Sequence, residues 1–518
     1  MALTPTRRGV LLPDAGVGGL GARRGAWALL AALLVANLVG AVTYEPPADR
    51  PLPGDGATHA LQAASLAFDL DLQWRREDHD RFAAARGGSP GRVVLRSPDR
   101  GERMAFATPV PWAVAAAPFV RVAPVRGPAV ANALFLALAA LAAATTLERR
   151  LGPTAPLWVA AFAFASVAFV YTFRPTPELF TAALVAVAFA LAYRGEGRPA
   201  ERFTEIYAGT LPGEEAARLP LRWLAAGALL GTAATLHPFY LVLLLPLALA
   251  VPRGRRPSGL AALLLSAAAA LALWGAVSAA AGGSPLPWDR GGRVFTPETG
   301  FPAVDVPVAL WPAEEPELGW LPHGPPGDLW QGGGTLRLWA WDALFLAAGR
   351  HLGLLPYFLP LLLPFAAFVG ARGRAAVPLA VGLALAAALV LRPFDLAGTA
   401  DPVAAAFFLP LYPALWFTAG RPARPAWVLL VAAVAAPWLY PAWLAPRAAA
   451  AGAGYTSAVA REVLPVETTQ AALPGVADVH HGPLWLRSSR GAVREGPGGT
   501  LRFAAGRKAE LWIGCAVA

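Results

Sequence analysis

Long apolar runs alternate with short, arginine-bearing breaks over most of the 518-residue chain. Runs of about 16–24 residues, the length that crosses a bilayer core, cover 27–44, 128–147, 154–173, 178–193, 221–236, 238–252, 258–281, 353–370, 375–392, 403–419 and 426–444. They predict an all-α polytopic membrane protein with about 11 transmembrane helices. The first run has no clear small-residue cleavage site and reads as a retained helix, not a removed leader. Runs 221–236 and 238–252 are short, meet at His237-Pro238 and could be one long broken helix, but counting them as one span would flip every later loop, so two spans are favoured. Residues 109–126 are apolar but carry Pro109, Pro111, Pro118, Pro124 and Arg121. They read as an interfacial or re-entrant element, since a span there would swap the sides of every later loop.

The arginines orient these spans. Arg149 and Arg150, then Arg194, Arg198, Arg202, Arg218 and Arg222, then Arg253, Arg255 and Arg256, then Arg372 and Arg374, then Arg421 and Arg424 fall in alternate loops. The loops between them hold far fewer, Arg174 and Arg392 among them. That is the positive-inside pattern with a cytoplasmic N-terminus. It divides the chain into a cytoplasmic segment 1–24, a transmembrane domain 25–445 with large outer loops 45–127 and 282–352, and an outer tail 446–518. In the tail, Leu484–Arg487, Thr500–Phe503 and Glu510–Ile513 alternate apolar and polar residues between glycine-rich turns, which predicts a small β-rich appendage.

Composition changes this picture little. The chain is 56% hydrophobic and 15% charged, against about 25% charged in soluble domains. That excludes disorder, a collagen-like fibre and a disulfide scaffold. The net charge of +10 is spread over loops as topology signals, so it does not indicate a nucleic-acid partner. Lys508 is the single lysine, and Asn37 and Asn132 are the only asparagines. This depletion points to a GC-rich bacterial genome. Cys515 stands alone, so no intrachain disulfide forms.

Nothing matches a P-loop, a dinucleotide fingerprint, a zinc spacing or a nucleophile elbow. Candidate chemistry therefore rests on acids, histidines and arginines at the outer face. The first loop carries Asp55, His59, Asp69 and Asp71, with an amphipathic helix including Leu61 and Ala64 expected between them. An acid just outside a span is ordinarily solvated, and Asp69 and Asp71 suit loop capping as well as metal binding.

The segment Asp55…Ser65-Leu66…Asp69-x-Asp71-Leu72 resembles the first outer loop of a bacterial branch of GT-C integral-membrane glycosyltransferases. Its expected second acid is replaced by Gly56, and His59 stands where an aromatic residue is usual. Further elements resemble the same branch in order: Phe106-Ala107-Thr108-Pro109 to Ala117-Pro118-Phe119, Arg174-Pro175-Thr176-Pro177-Glu178, Gly349-Arg350-His351-Leu352-Gly353-Leu354-Leu355-Pro356-Tyr357, Phe407-Phe408-Leu409-Pro410-Leu411-Tyr412-Pro413 and Leu464-Pro465-x-Glu467-Thr468-Thr469. Ala404-Ala405-Ala406 replaces a Gly-Asn-Arg.

The resemblance implies an inverting glycosyltransferase in the bacterial inner membrane. It would take sugar from a polyprenyl-phosphate donor to a glycan, lipid or protein acceptor at the outer face. A general base must accept the acceptor's proton while cations hold the departing phosphate. Asp55 is the expected base and Glu178 the second acid. Arg174, His237, Arg350 and His351 are the expected phosphate-side groups. No cofactor is assigned, although metal dependence varies among such enzymes and a divalent ion is compatible. Two other readings remain open: a catalytically degenerate scaffold or lipid-binding relative, for which Gly56 and Ala404–Ala406 speak, and a transporter or flippase, against which the nearly charge-free spans speak. Convergence of Asp55, Glu178 and Arg350 on one cavity is the structural test of the catalytic assignment.

Overall fold

The computed structural model describes residues 18–194 and 213–470 except 47–51, 53–54, 92, 98–103, 253–255, 287, 290–292, 297–333, 365–374, 394–395, 397–402, 420–423, 452 and 468, together with 484–488, 493–495, 501–503 and 511–515. The start of the N-terminal segment, the middle of the 282–352 loop and the end of the 353–370 run lie outside the described residues.

Among the described residues, the helices of ten or more residues are α1 (Gly18–Val42), α2 (Gly56–Phe68), α3 (Arg76–Arg86), α4 (Val110–Val122), α5 (Gly127–Leu151), α6 (Ala155–Phe164), α7 (Glu178–Tyr193), α8 (Gly213–Ala234), α9 (Arg256–Ala280), α10 (Gly334–Ala348), α11 (Ala376–Leu391) and α12 (Pro425–Leu444). Among the described residues, four stretches are long and apolar enough to cross a membrane: Gly21–Val42, Gly127–Phe164, Arg256–Ala280 and Pro425–Leu444. The other expected spans are shorter apolar helices or broken ones.

The breaks have local causes. In 154–173 the helix stops at Phe164. Ser166 then donates to Phe162 O at 2.7 Å and accepts from Ala168 N at 3.2 Å, starting a 3₁₀ turn over Val167–Phe173. The 403–419 run, expected as one helix, is helical only at Ala406–Phe408 and Tyr412–Trp416. Pro410 stands in the gap between them and donates no backbone hydrogen bond, while Pro413 sits in the first turn of the second piece, where a proline is tolerated. At His237-Pro238 the break lies where the sequence places it. Helix α8 ends at Ala234, His237 is extended (φ −152°, ψ 128°), and a 3₁₀ turn over Pro238–Leu243 leads into Leu244–Ala250. The proline-rich 109–126 element is largely helix α4, with Pro118 inside it.

Two ends of the bundle are distinguishable. At one, Arg23 Nε meets Glu148 Oε1 at 2.5 Å and Arg149 Nη1 donates to Arg194 O at 3.0 Å. The loop arginines read as cytoplasmic thus meet there. At the opposite end, α2 packs on α4. Beside them β1 (Val94–Arg96) pairs antiparallel with both β2 (Ala105–Phe106) and β3 (Arg293–Phe295), Leu95 standing opposite Phe106 and Val294. This small sheet joins the two polar loops over a separate core of Leu61, Trp74, Val93, Leu95, Met104, Phe106 and Val294. In the tail, Leu484–Ser488 pairs with Leu511–Cys515 and Val493–Glu495 with Leu501–Phe503, both antiparallel.

Candidate functional site

A cavity of about 140 Å³ opens at the end opposite the arginine loops. Asp55, His59, Glu178 and His237 line it, and so do Thr108, Tyr240, Trp288, Arg293, Arg392 and Phe407. Side chains more than 300 residues apart in sequence thus face one space.

Asp55 stands at the N-terminus of α2, where its main-chain oxygen accepts from His59 N at 3.1 Å. Its carboxylate does not cap the helix. Gly56 is buried against Pro175: a Cβ there would lie 3.1 Å from Pro175 Cγ. A side chain at this position would press on Pro175, which must give by a few tenths of an ångström to admit the second acid expected there.

His59, one turn further along α2, is buried edge-on to Trp112 with centroids 5.7 Å apart. Burial pushes its imidazole down to about 3, so it is neutral at ordinary pH. The neighbouring wall is fixed by a reciprocal pair, Gln62 Nε2 to Thr108 O at 3.1 Å and Thr108 Oγ1 to Gln62 Oε1 at 3.0 Å.

Glu178 opens α7, where the helix N-terminus favours an anionic side chain. It is buried, and among the described residues its Oε2 has no hydrogen-bond partner. The turn before it is held by both asparagines of the chain. Asn37 Nδ2 donates to Thr172 Oγ1 at 2.9 Å. Asn132 Nδ2 reaches Arg174 O at 2.5 Å, Tyr171 O at 3.3 Å and Thr176 O at 3.4 Å, while its oxygen accepts from Trp112 Nε1 at 3.0 Å. Sequence reasoning noted these asparagines only as rarities. Their scarcity was the available signal.

His237 and Arg392 also line the cavity and touch each other. Arg392 Nη1 lies 3.0 Å from His237 Nε2. A guanidinium only donates, so Nε2 accepts and the imidazole proton sits on Nδ1. Phe239 and Phe407 flank the ring with centroids at 4.6 and 4.9 Å. Arg392 was read from sequence only as a topology marker, and Arg293, on β3, drew no notice. Neither carries a local motif, and only the fold brings them to His237 and Asp55. Ala406, also in the lining, occupies the arginine position of the expected Gly-Asn-Arg. Ala404, at the glycine position, has φ +56°, the left-handed conformation that suits glycine.

The remaining candidates lie elsewhere. Arg174 is buried but does not line the cavity. Its Nη1 donates to Ala450 O at 3.0 Å and its guanidinium lies 5.8 Å from the Tyr171 ring centroid. Asp69 pairs with Arg81 at 2.8 Å. Asp71 accepts from Ser65 Oγ at 2.7 Å and Gln73 N at 3.2 Å, and pairs with Arg75 at 3.1 Å. Both acids cap and brace the loop after α2. Among the described residues, no three His, Cys, Asp or Glu side chains group as metal ligands.

Arg350 and His351, expected on the phosphate, hold the chain's own tail segment. Arg350 N donates to Pro465 O at 2.9 Å and its Nη2 to Arg461 O at 2.6 Å. His351 Nδ1 pairs with Glu467 Oε2 at 3.0 Å. Glu467 Oε1 accepts from His351 N at 2.6 Å and Leu352 N at 2.8 Å. A Cβ on Gly349 would come 2.3 Å from that oxygen, so only glycine admits the carboxylate. Two of the family-like elements, Gly349–Leu352 and Leu464–Glu467, are the two halves of one latch. Of the three residues set as the convergence test, Asp55 and Glu178 meet in the cavity and Arg350 does not.

No protein-family model and no curated protein matches the chain. One solved structure that is similar is ArnT from Cupriavidus metallidurans bound to undecaprenyl phosphate. Identity is 15%, coverage 82% of this chain and 62% of that one, and the TM-score 0.41. A likeness of that size assigns neither a family nor an activity.

Proposed function

We propose that the protein is an inverting GT-C-type glycosyltransferase that moves a sugar from a polyprenyl-phosphate donor to a hydroxyl of a glycan, lipid or protein acceptor, at the outer face of a bacterial inner membrane. The observation that carries this reading is the make-up of the cavity lining, which holds two acids, Asp55 and Glu178, together with Arg392 hydrogen-bonded to His237.

Asp55 takes the proton of the acceptor hydroxyl. The oxygen then attacks the anomeric carbon from the face opposite the phosphate. The carbon–oxygen bond to the phosphate breaks, and the polyprenyl phosphate leaves with the electron pair. Arg392, with Arg293 at the β3 edge, offers N–H groups to the departing oxygens. His237 keeps the Arg392 fork aligned, and Glu178 orients the acceptor. Arg174, Arg350 and His351 hold backbone segments outside the cavity and have no part in the chemistry. At about 140 Å³ the cavity is smaller than the roughly 300–1,000 Å³ of sites that enclose whole ligands. It suits the sugar–phosphate junction while the donor's chain stays in hydrocarbon.

The decisive experiment is transfer from a polyprenyl-phosphate sugar by Asp55→Asn. Loss of transfer with unchanged folding supports the base assignment, and turnover like that of the natural protein refutes it. The missing polar groups at Gly56 and Ala404–Ala406 favour one rival, a lipid-binding relative without catalysis. Binding of polyprenyl phosphate by the unaltered protein with no turnover of any donor would establish that rival.

A further inference from the structure

A larger cavity of about 560 Å³ lies away from the polar one. Its walls come from three membrane-crossing stretches, with Leu33 and Asn37 on α1, Ala161 and Phe164 on α6, and Leu429 and Trp443 on α12. Helices α1 and α12 each pack on α6 and stand on either side of this groove. Its surface is almost wholly apolar, because the Asn37 amide is spent on Thr172. On α12 it is lined at Val428, Leu429 and Ala432 and again at Trp443 near the helix end.

The end of the groove is not apolar. Arg447 lines it there, at the same end of the bundle as Asp55. Its Nη2 donates to Gly40 O at 3.0 Å and also to Thr43 Oγ1, tying the chain after α12 to the end of α1. Those contacts use one nitrogen of an exposed guanidinium. Among the described residues, Nε and Nη1 have no recorded partner. Trp443 donates its indole N–H to Phe164 O at 2.8 Å beside it, an aromatic anchor of the kind found at membrane interfaces. On both sides of the groove, Val35, Val39, Leu430 and Val434 are exposed, so the surroundings are hydrocarbon.

We propose that this groove is a binding site for one anionic phospholipid of the bilayer, an acyl chain lying between α1 and α12 and the phosphodiester held by Arg447. The shape selects a chain and the single cation selects the charge. An uncharged tail would leave the guanidinium without an anion, and a free phosphate would leave the apolar walls unfilled. The site is separate from the donor cavity. The 3₁₀ turn Val167–Phe173 stands between them, giving Phe169 and Phe173 to the groove and carrying Tyr171, whose hydroxyl turns to Val403 O at 2.7 Å.

The test is native mass spectrometry of the full-length protein, stripped of lipid and then offered phosphatidylglycerol and phosphatidylcholine in equal amounts. One phosphatidylglycerol per chain is expected, retained about fivefold over phosphatidylcholine, which is the worth of one cation against an anionic lipid headgroup. Arg447→Gln should abolish the preference and Arg447→Lys should keep it. Ala432→Trp, which fills the groove from α12, should reduce retention of both lipids. Inorganic phosphate should not compete. Equal retention of the two lipids by the unaltered protein, or no effect of Ala432→Trp, overturns the proposal. Displacement of phosphatidylglycerol by polyprenyl phosphate also overturns it and gives the groove to the donor's chain. Asp55→Asn should leave lipid retention unchanged, so failure of this site and failure of the transferase reading are separate results.

Discussion

The polar cavity and the tail latch are built from the same side-chain types and differ in what those side chains are bonded to. In the latch, Glu467 spends both carboxylate oxygens on His351 and on main-chain N–H groups and is 0% exposed, and Arg350 donates to main-chain carbonyls. In the cavity, the acids Asp55 and Glu178 line the same space as Arg392 and His237, and Glu178 Oε2 is buried without a hydrogen bond among the described residues. A buried polar group that is fully satisfied from within holds a fold together. One that points unsatisfied into a cavity is set for a ligand. An acid, a histidine and an arginine near each other are therefore no sign of chemistry until their hydrogen bonds are traced.

The comparison is sharpest for the largest expected effect. Asp55→Asn should lower sugar transfer by about 10²–10⁴-fold, the usual contribution of a general base, with no change in thermal unfolding. Glu467→Ala should do the reverse. It leaves His351 and two main-chain N–H groups without their acceptor, at a cost of about 3–5 kcal/mol as for other broken buried pairs. Thermal unfolding would report that loss, while transfer per folded molecule stays the same. Arg392→Gln should lower transfer by about 10²–10³-fold, the scale for one lost anion-stabilising donor. Arg350→Gln should lower stability and spare transfer. If Arg350→Gln proved the more damaging to transfer, the division between cavity and latch would be wrong.

A smaller effect concerns pH. His59 is held neutral down to about pH 3, against an ordinary value near 6.5. As pH falls below about 6.5 the unfolded chain takes up a proton that the folded chain refuses, so stability contributed here is present above 6.5 and lost toward pH 3. His59→Gln should flatten that acid-side loss in unfolding experiments, and it should not move the pH profile of transfer above neutrality. The smallest effect is at Ala404, whose φ of +56° costs about 1 kcal/mol in a residue with a Cβ. Ala404→Gly should raise stability by up to that amount, seen as a slightly higher unfolding temperature.

Much of the architecture was readable from the chain. The long apolar runs become α1, α5 with α6, α9 and α12, and the break at His237-Pro238 follows from proline chemistry alone. The 403–419 run misled, because hydrophobicity reports burial in lipid or protein without reporting whether the backbone stays helical. The candidate site was legible in part. Asp55, Glu178 and His237 were named through the resemblance and His59 as a loop candidate, and all four line the cavity. Arg293, on β3, and Arg392, at the end of α11, belong to no motif, so sequence does not single them out. Arg174, Arg350 and His351 belong to elements that do resemble the branch, yet the fold spends them on backbone and on Glu467.

The sequence by itself determined where lipid-compatible helices run, which loops collect arginine, and which segments carry acids and histidines. These are local matters of hydrophobic length, charge and proline. Only the tertiary structure decided which charged groups meet across empty space and which are consumed by backbone. That assignment depends on contacts between residues as far apart as Asp55 and Arg392, and on atoms such as the main-chain N–H of Leu352 that no side-chain sequence records.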